Sequence, residues 1–239
     1  MMLCIHSCEI PDEYLKALEA IVPGAKLVPL KRHTAVYRAI QAHPDIFGFQ
    51  LSSDTIICSP HMLSTLKRDT GAGSIKKHIS ASSPATPYPK AAILNAALIG
   101  KMLIHNSRIT DRAIIEHCRQ GKVTSLHVKQ GYARCSVVPV GKKALITSDG
   151  GIAKAACSAG LDVLRVRPGH VNLPYKKSGL LGGASGILPD AGVIFLGDLT
   201  KHPDHDKISL FFMRHGVSVS HMPGLELFDA GSLFFLKTN

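Results

Sequence analysis

The sequence has no tryptophan, few other aromatic residues and few acids. Aromatic residues make up 5% of its 239 residues, and 17 acids stand against 28 lysines and arginines, for a formal net charge of +11. The basic doublets are scattered along the chain and no nucleic-acid-binding motif accompanies them, so the charge indicates a solvated basic surface. A nucleic-acid partner is therefore not expected.

Long apolar runs are also missing. No run reaches the roughly 18 residues of a membrane-spanning helix, and the N-terminus lacks the basic region and apolar stretch of an export signal. We therefore expect a cytoplasmic protein without a membrane partner. The hydrophobic content of 45% is sufficient for a full core.

Metal and cofactor motifs are absent as well. The six cysteines form no C-x-x-C pair and no zinc-finger spacing, which indicates reduced thiols. Segment 202–206, HPDHD, permits a metal interpretation, but a proline and acids at a helix start explain it equally. Segment 182–186, GGASG, lacks the Gly-Lys-Ser/Thr ending of a phosphate loop. We expect no metal and no cofactor.

A short unit recurs along the chain: apolar strand, tight turn, apolar strand, capped helix, glycine and a final strand. In the middle of the sequence it reads strand 133–140, turn 141–143, strand 144–147, helix 151–159, Gly160 and strand 161–166. The turns fall near 54, 100, 141 and 191, in steps of 46, 41 and 50, and one more step ends near 237. The pattern predicts a repeat architecture.

The fifth unit joins the two termini. Segment 230–236 supplies its first strand, and segments 2–6, 13–21 and 26–30 supply its second strand, helix and last strand. The sequence thus predicts an α/β fold, a five-fold pseudosymmetric ββαβ propeller closed by pairing of the N- and C-terminal strands, as one domain over residues 1–239. An ordinary α/β sheet with accidental periodicity is the alternative.

The first strand of each unit is expected to face the central axis. Cys135 is the candidate nucleophile, with His43 as its base, because a reactive cysteine needs a neighbouring base or positive charge. Arg134 is expected on the opposite face of the strand. The alternative for Cys135 is a small buried strand residue. The other polar or small axial residues, candidates for ligand binding, are Asp45, Asn95, Ser136, Gly183, Ser185, Asp229 and Ser232.

The stretches HPDIFGF, NAALIGKMLIHN, QGYARCSVVPV, ALITSDGGIAKA, GLDVLRVRPGH, LLGGASGIL and FDAGSLFF resemble an uncharacterised bacterial family with the pentein, or α/β-propeller, fold of guanidino-group-modifying enzymes. This resemblance implies a catalytic cysteine in the last unit and a histidine in the unit before it. The chain departs from both, because Ala230, Gly231 and Ser232 stand where the thiol is expected and segment 180–186 has no histidine.

Two functions follow from these patterns. One is a small-molecule site on the axis, for a polar compound that can be cationic, in a cysteine-dependent hydrolase or transferase of an amidine, guanidine or amide. The alternative is a non-catalytic pentein, either a ligand-binding protein or a ribosome or RNA interaction module. The proline-rich connectors 80–90 and 169–177 are expected to cover one mouth of the axis.

Overall fold

The computed structural model describes residues 1–68, 70–189 and 192–238. Within them the helices are α1 Asp12–Ile21, α2 Pro44–Phe47, α3 Pro60–Arg68, α4 Arg112–Gln120, α5 Ala133–Ser136, α6 Gly150–Ser158 and α7 His205–Arg214. The strands are β1 Met2–Ser7, β2 Ala25–Leu30, β3 Gly48–Gln50, β4 Thr55–Cys58, β5 Lys76–Ile79, β6 Ala97–Ile99, β7 Met102–His105, β8 Thr124–His127, β9 Val137–Val140, β10 Ala144–Thr147, β11 Asp162–Arg165, β12 Ser185–Leu188, β13 Gly192–Phe195, β14 Val219–Ser220 and β15 Phe234–Lys237. None of the helices in these ranges is both long and apolar enough to cross a bilayer.

The described strands form five three-stranded sheets, one for each predicted unit. The sheets are β3-β4-β5, β6-β7-β8, β9-β10-β11, β12-β13-β14 and β15-β1-β2. In every sheet the first strand pairs antiparallel with the second, and the second pairs parallel with the third across a connection that contains a helix. The predicted five-unit ββαβ architecture is confirmed.

The termini meet in the fifth unit. Strand β15 pairs antiparallel with β1, with Met2 opposite Lys237 and Ile5 opposite Phe234. This pairing satisfies a strand edge that would otherwise expose backbone donors and acceptors, and it confirms the predicted pairing of the terminal strands. The assignment of residues 1–239 to one domain stays a prediction. Residues 69, 190 and 191, at the predicted end of α3 and in the fourth turn, lie outside the described residues.

The five first strands surround a common axis. One cavity, of about 230 Å³, is lined by Phe49, Leu98, Pro139, Ile187 and Phe234, which come from β3, β6, β9, β12 and β15. We call this cavity the lower mouth. The helices pack their apolar faces against the sheets. Two of them are capped by an aspartate that directly precedes the helix in the sequence. Asp111 accepts a hydrogen bond from the amide of Ala113 at the start of α4, and Asp149 does so from Ile152 at the start of α6.

The first strands are shorter than predicted, because a helical turn, turn or bend precedes each of them. Residues 133–136, predicted as strand, form the one-turn helix α5, and β9 begins only at Val137. The physical reason is a tertiary hydrogen bond. The side-chain oxygen of Asn95 accepts from the amides of both Arg134 and Cys135, at 2.7 and 3.2 Å, which a strand would present to opposite sides. Cys135 therefore lies in a helical turn above the strand.

Candidate functional site

A second cavity opens at the other end of the axis, where the turns precede the first strands. It has a volume of about 450 Å³, and we call it the upper mouth. The polar, charged and aromatic residues in its lining are Tyr37, His43, Tyr88, Tyr132, Cys135, Lys176, Ser178 and Asp229. A cavity of this size, partly apolar with a few convergent polar groups, is typical of a small-molecule site.

Asn95 fixes the position of the cysteine. Besides accepting the amides of the α5 turn, its side-chain nitrogen donates to the Sγ of Cys135 at 3.2 Å and to the carbonyl of Asp45 at 3.1 Å. All four polar contacts of this amide are thus within one buried network. Asn95 supports Cys135 from below and stabilises a negative charge on the sulfur.

Asp45 lies directly against the thiol. Its Oδ2 accepts from the Sγ of Cys135 at 3.0 Å and from the Oγ of Ser232 at 2.8 Å. The carboxyl is fully buried, and its Oδ1 has no hydrogen-bond partner. Asp45 is not in the lining of the upper mouth, so it is a partner of Cys135 below the cavity floor.

Asp229 and His43 form the remaining polar part of the floor. The Nδ1 of His43 lies 3.9 Å from the Oδ1 of Asp229 and has no hydrogen-bond partner. Asp229 is held by the amides of Leu180 and Gly231, at 2.8 and 3.0 Å. At Gly183 an added Cβ would come within 2.0 Å of the Asp229 carboxylate, so the fourth unit needs a glycine here. Asp229 thus presents a fixed carboxylate to the cavity.

Arg134 provides the buried positive charge beneath this cluster. Its guanidinium donates to the carbonyls of Val137 and Gly182 at 3.0 and 3.1 Å, and to that of Ser185 at 3.3 Å. It also lines the lower mouth. Arg134 and Cys135 lie in the helical turn α5 and not in the predicted strand, and Arg134 lines the lower mouth whereas Cys135 lines the upper mouth. Burial lowers the pKa of Arg134, and Asp45, Cys135 and Asp229 oppose that effect.

The electrostatics keep Cys135 protonated in the empty site. Burial, followed by the negative charges of Asp45 and Asp229, raises the pKa of the Cys135 thiol well above its ordinary value, and the hydrogen bond from Asn95 opposes this. Burial also raises the pKa of Asp229, whereas His43 lowers it. Several negative charges close together in a buried space cost free energy. A bound cation would lower that cost.

The structure places the predicted site residues in two layers. Cys135, His43 and Asp229 line the upper mouth, whereas the other six predicted residues do not. Asp45, Asn95 and Ser232 form the network under Cys135. Two of the remaining three bond to the backbone: the Gly183 amide donates to the carbonyl of Cys135, and the Ser185 hydroxyl donates to that of Gly182. The third, Ser136, has a buried hydroxyl without a partner.

Sequence reasoning selected Tyr88 and Tyr175 in the connectors but missed Tyr37 and Tyr132, which line the upper mouth. The hydroxyl of Tyr37 accepts from the amide of Tyr88 at 2.8 Å, and the rings of Tyr88 and Tyr132 lie 5.8 Å apart. Arg38 donates to the hydroxyl of Tyr175 at 3.1 Å and stacks on its ring. The connectors around 37, 88 and 175 therefore meet over the upper mouth, as expected for 80–90 and 169–177. The signal for Tyr132 was its position three residues before Cys135.

The histidine and aspartate segment 202–206 is used within the fold. Asp204 accepts from the amide of Arg167 at 2.8 Å and pairs with its guanidinium at 3.0 Å, and the ring of His202 accepts the amide of Asp204. Burial lowers the pKa of His202, and Asp204 opposes this. Among the described residues no three histidine, cysteine or acidic side chains are grouped as a metal would require.

Comparison with known proteins gives a family and a fold. The model of a family described as "Family of unknown function (DUF6873)" matches residues 5–234. No curated protein matches the chain.

Three solved structures of low sequence identity share the architecture. A DDAH variant from Pseudomonas aeruginosa, complexed with citrulline, has a TM-score of 0.52 at 9% identity, over 92% of this chain and 91% of that chain. SxtG, an amidinotransferase from Microseira wollei in the saxitoxin pathway, has 0.54 at 13%, over 99% and 94%. Agmatine deiminase from C. jejuni has 0.52 at 8%, over 92% and 86%. These likenesses establish the pentein fold.

Proposed function

This chain belongs to DUF6873, and we propose that it is a cysteine-dependent enzyme that acts on a small cationic amidine, guanidine or amide compound bound in the upper mouth. The proposal rests on one observation, that three functional side chains lie together at the floor of the upper mouth. The thiol of Cys135, the carboxylate of Asp229 and the ring of His43 line the same cavity. A nucleophile, a group for the substrate's positive charge and a titratable ring are thus present together.

The cavity suits a cation although the whole chain is basic. Asp229 supplies a buried carboxylate at the floor, and Tyr37, Tyr88 and Tyr132 supply aromatic rings around it, whereas the ammonium of Lys176, also in the lining, opposes a cation. Ring faces attract cations, more strongly when water is excluded. The names of the three structural neighbours, which refer to DDAH, an amidinotransferase and agmatine deiminase, support amidino compounds as the substrate class.

Binding of a cation would also activate the nucleophile. In the empty site the raised pKa of Cys135 keeps the sulfur protonated at neutral pH. A positive charge next to the sulfur lowers that pKa, because opposite charges favour the ionised form. The thiolate would then add to the electrophilic carbon of the bound group. His43 is the lining residue suited to activate water for release of the product.

The experiment compares two reagents that differ in charge, 2-chloroacetamidine and neutral 2-chloroacetamide. At pH 7.5 the rate with the cationic reagent is divided by the rate with the neutral one, at Cys135 and at exposed Cys8. We expect this ratio to be at least about tenfold larger at Cys135 than at Cys8. Tenfold corresponds to one pKa unit of differential interaction. Digestion after Arg134 and mass spectrometry of the Cys135 peptide give the rates. In Asp229→Asn the preference should be lost.

An equal ratio at Cys135 and Cys8 would show that the upper mouth does not select cations. Catalysis is measured separately, as release of ammonia or alkylamine from a panel of amidines and guanidines by the wild-type chain and by Cys135→Ser.

A ligand-binding protein without catalysis is the second candidate. The observation that favours it is the resting thiol, which is 4% exposed and has a raised pKa, as an inert structural cysteine would. Cation preference at Cys135 without turnover of any amidine or guanidine would support this candidate. The ribosome or RNA interaction module stays a prediction that no observation here favours.

A further inference from the structure

We propose that Asp45, and not His43, takes the proton of the Cys135 thiol, and that the hydroxyl of Ser232 rotates to accommodate it. The inference rests on the proposed function, because it concerns the activation of the same nucleophile. Asp45 lies below the cavity, where it positions Cys135 and accepts its proton. Asp229 is then the carboxylate that contacts the ligand.

Contact geometry is the first argument. The Sγ of Cys135 lies 3.0 Å from the Oδ2 of Asp45 and donates to it. His43 instead faces Asp229, and among the described residues no hydrogen bond joins its ring to Cys135. A proton acceptor has to lie within hydrogen-bond reach of the proton it removes, and Asp45 meets this condition in the empty site.

The position of Asp45 is the second argument. It is fully buried and absent from the lining of the upper mouth, so Cys135 lies between it and the cavity. Its Oδ1 receives no hydrogen bond, so protonation of this carboxyl costs no contact at that atom. A carboxylate that does not meet the ligand, yet contacts the nucleophile, is suited to hold a proton.

Charge conservation is the third argument. Transfer of the proton from Cys135 to Asp45 moves one negative charge from oxygen to sulfur and creates none. Transfer to His43 would create a new cation and a new anion in a buried site, which carries a larger desolvation cost. Asn95 then stabilises the sulfur charge through its donor at 3.2 Å.

Ser232 makes the proton acceptance reversible. Its Oγ lies 2.8 Å from Asp45 Oδ2 and 3.2 Å from the carbonyl of Gly182, so its single proton has two acceptors. The residue is fully buried and holds a left-handed backbone conformation with φ of 66°, a strained state for a non-glycine residue. The structure keeps the hydroxyl between two acceptors in spite of that strain.

The step balances as follows. The thiol proton moves from Sγ to Asp45 Oδ2. The Sγ–C bond forms as the C=N π pair moves to the nitrogen of the bound amidinium, which gives a neutral adduct with the proton held on Asp45. The sulfur then no longer accepts, so the Oδ2 proton turns to the Ser232 oxygen, whose own proton turns to Gly182. With 2-chloroacetamidine the Sγ–C bond forms as the C–Cl bond breaks, and chloride leaves.

The test is the pH–rate profile of Cys135 alkylation by 2-chloroacetamidine, from pH 4.5 to 9.5, in five forms of the full chain. We expect the profile to fall at its acid end as the proton acceptor becomes protonated. His43→Gln should retain this acid limb. Asp45→Asn should replace it with a rate that rises with pH up to the alkaline end of the range, because the thiol then loses its proton to solvent, and should lower the rate at pH 7.5 about 10²-fold or more, in the range for loss of a general base.

Ser232→Ala keeps the acceptor but loses the hydroxyl, so we expect the acid limb to remain and the rate to fall about three- to tenfold. Thr147→Val is the matched control, since it removes another buried hydroxyl that donates to a backbone carbonyl, that of Ser136, without contact to Asp45, and its rate should stay within about twofold.

Loss or displacement of the acid limb in His43→Gln, with the limb intact in Asp45→Asn, would overturn the proposal. The wild-type and His43→Gln profiles decide this even where Asp45→Asn does not fold, which thermal unfolding checks. Failure of the proposed function is separate: it appears as equal rates for the cationic and neutral reagents in the wild-type chain.

Discussion

The upper and lower mouths are lined by the same five units but differ in what lines them. At the lower mouth the first strands contribute apolar side chains, at least one from each unit, beside Gln50, two serines and the guanidinium of Arg134. At the upper mouth the turns and connectors contribute tyrosines, a thiol, an imidazole, a carboxylate and the ammonium of Lys176. The difference indicates that the first strands build the scaffold, whereas the segments before them hold most residues of the candidate site.

Charge is divided along the axis in the same way. Asp45 and Asp229 lie toward the upper mouth, and the guanidinium of Arg134 lies below them, held by three backbone carbonyls. A buried cation toward the lower mouth and buried acids next to Cys135 make the site asymmetric. We infer that the lower half stabilises the fold and that the upper half binds.

Arg134→Met should therefore have the largest effect, on stability. It leaves the buried acids without a nearby cation. It also removes the hydrogen bonds that the guanidinium donates to the carbonyls of Val137, Gly182 and Ser185. Removal of one partner from a buried charged group costs about 3–5 kcal/mol, and we expect a loss of this size in the free energy of unfolding, measured by urea denaturation. Arg119→Met, at an exposed pair with Glu116, is the control and should give no resolvable change. A small loss at Arg134 would refute the scaffold role.

Gly231→Ala should have an intermediate effect, at the upper half. The residue has φ of 73°, and an added Cβ would lie 2.1 Å from the Cβ of His43, so His43 must move. Gly216→Ala is the matched control, with φ of 62° and open space around the added atom. We expect about 1–2 kcal/mol of destabilisation at Gly216 and about 1–3 kcal/mol more at Gly231 from crowding.

The same two variants also test whether the reactivity of the upper mouth depends on the position of His43. Only Gly231→Ala should change the rate at which 2-chloroacetamidine alkylates Cys135. Equal effects of the two variants on that rate would mean that the position of His43 does not matter for the upper mouth.

Tyr37→Phe should have the smallest effect, on access. It removes the hydroxyl that accepts from the amide of Tyr88 and so loosens one contact between connectors, worth about 1 kcal/mol. We expect alkylation of Cys135 by neutral 2-chloroacetamide to rise about two- to fivefold. Tyr14→Phe, whose hydroxyl donates to Glu226 on the outer layer, should not change that rate. A slower reaction in Tyr37→Phe would contradict a covering role for the connectors.

Most of the architecture was predictable from the sequence because it repeats. The turn, cap and glycine signals recur with the same order in each unit, and local signals of this kind determine where strands and helices begin and end. The fifth unit followed from the spacing of the turns. The prediction erred at 133–140, because an apolar run reads as one strand, whereas Asn95, which is remote in sequence, holds its first half in a helical turn.

The sequence predicted which residues belong to the candidate site better than it predicted how they are arranged. Counting back from each turn selected Asp45, Asn95, Cys135, Asp229 and Ser232. The structure joins four of these in one hydrogen-bonded network and places Asp229 beside it, next to His43. The same counting cannot separate a residue in the cavity lining from one below it, since one turn of backbone rotates a side chain from one layer to the other.

The sequence by itself determined the number of units, the order of their elements and the pairing of the termini, because these follow from local propensity and from periodicity. Only the tertiary structure decided that Arg134 lies under the site, that Asp45 contacts the thiol and that Asp229 meets the cavity. Those facts depend on side chains from different units meeting at the axis, and on a buried dielectric that makes each charge sensitive to its neighbours.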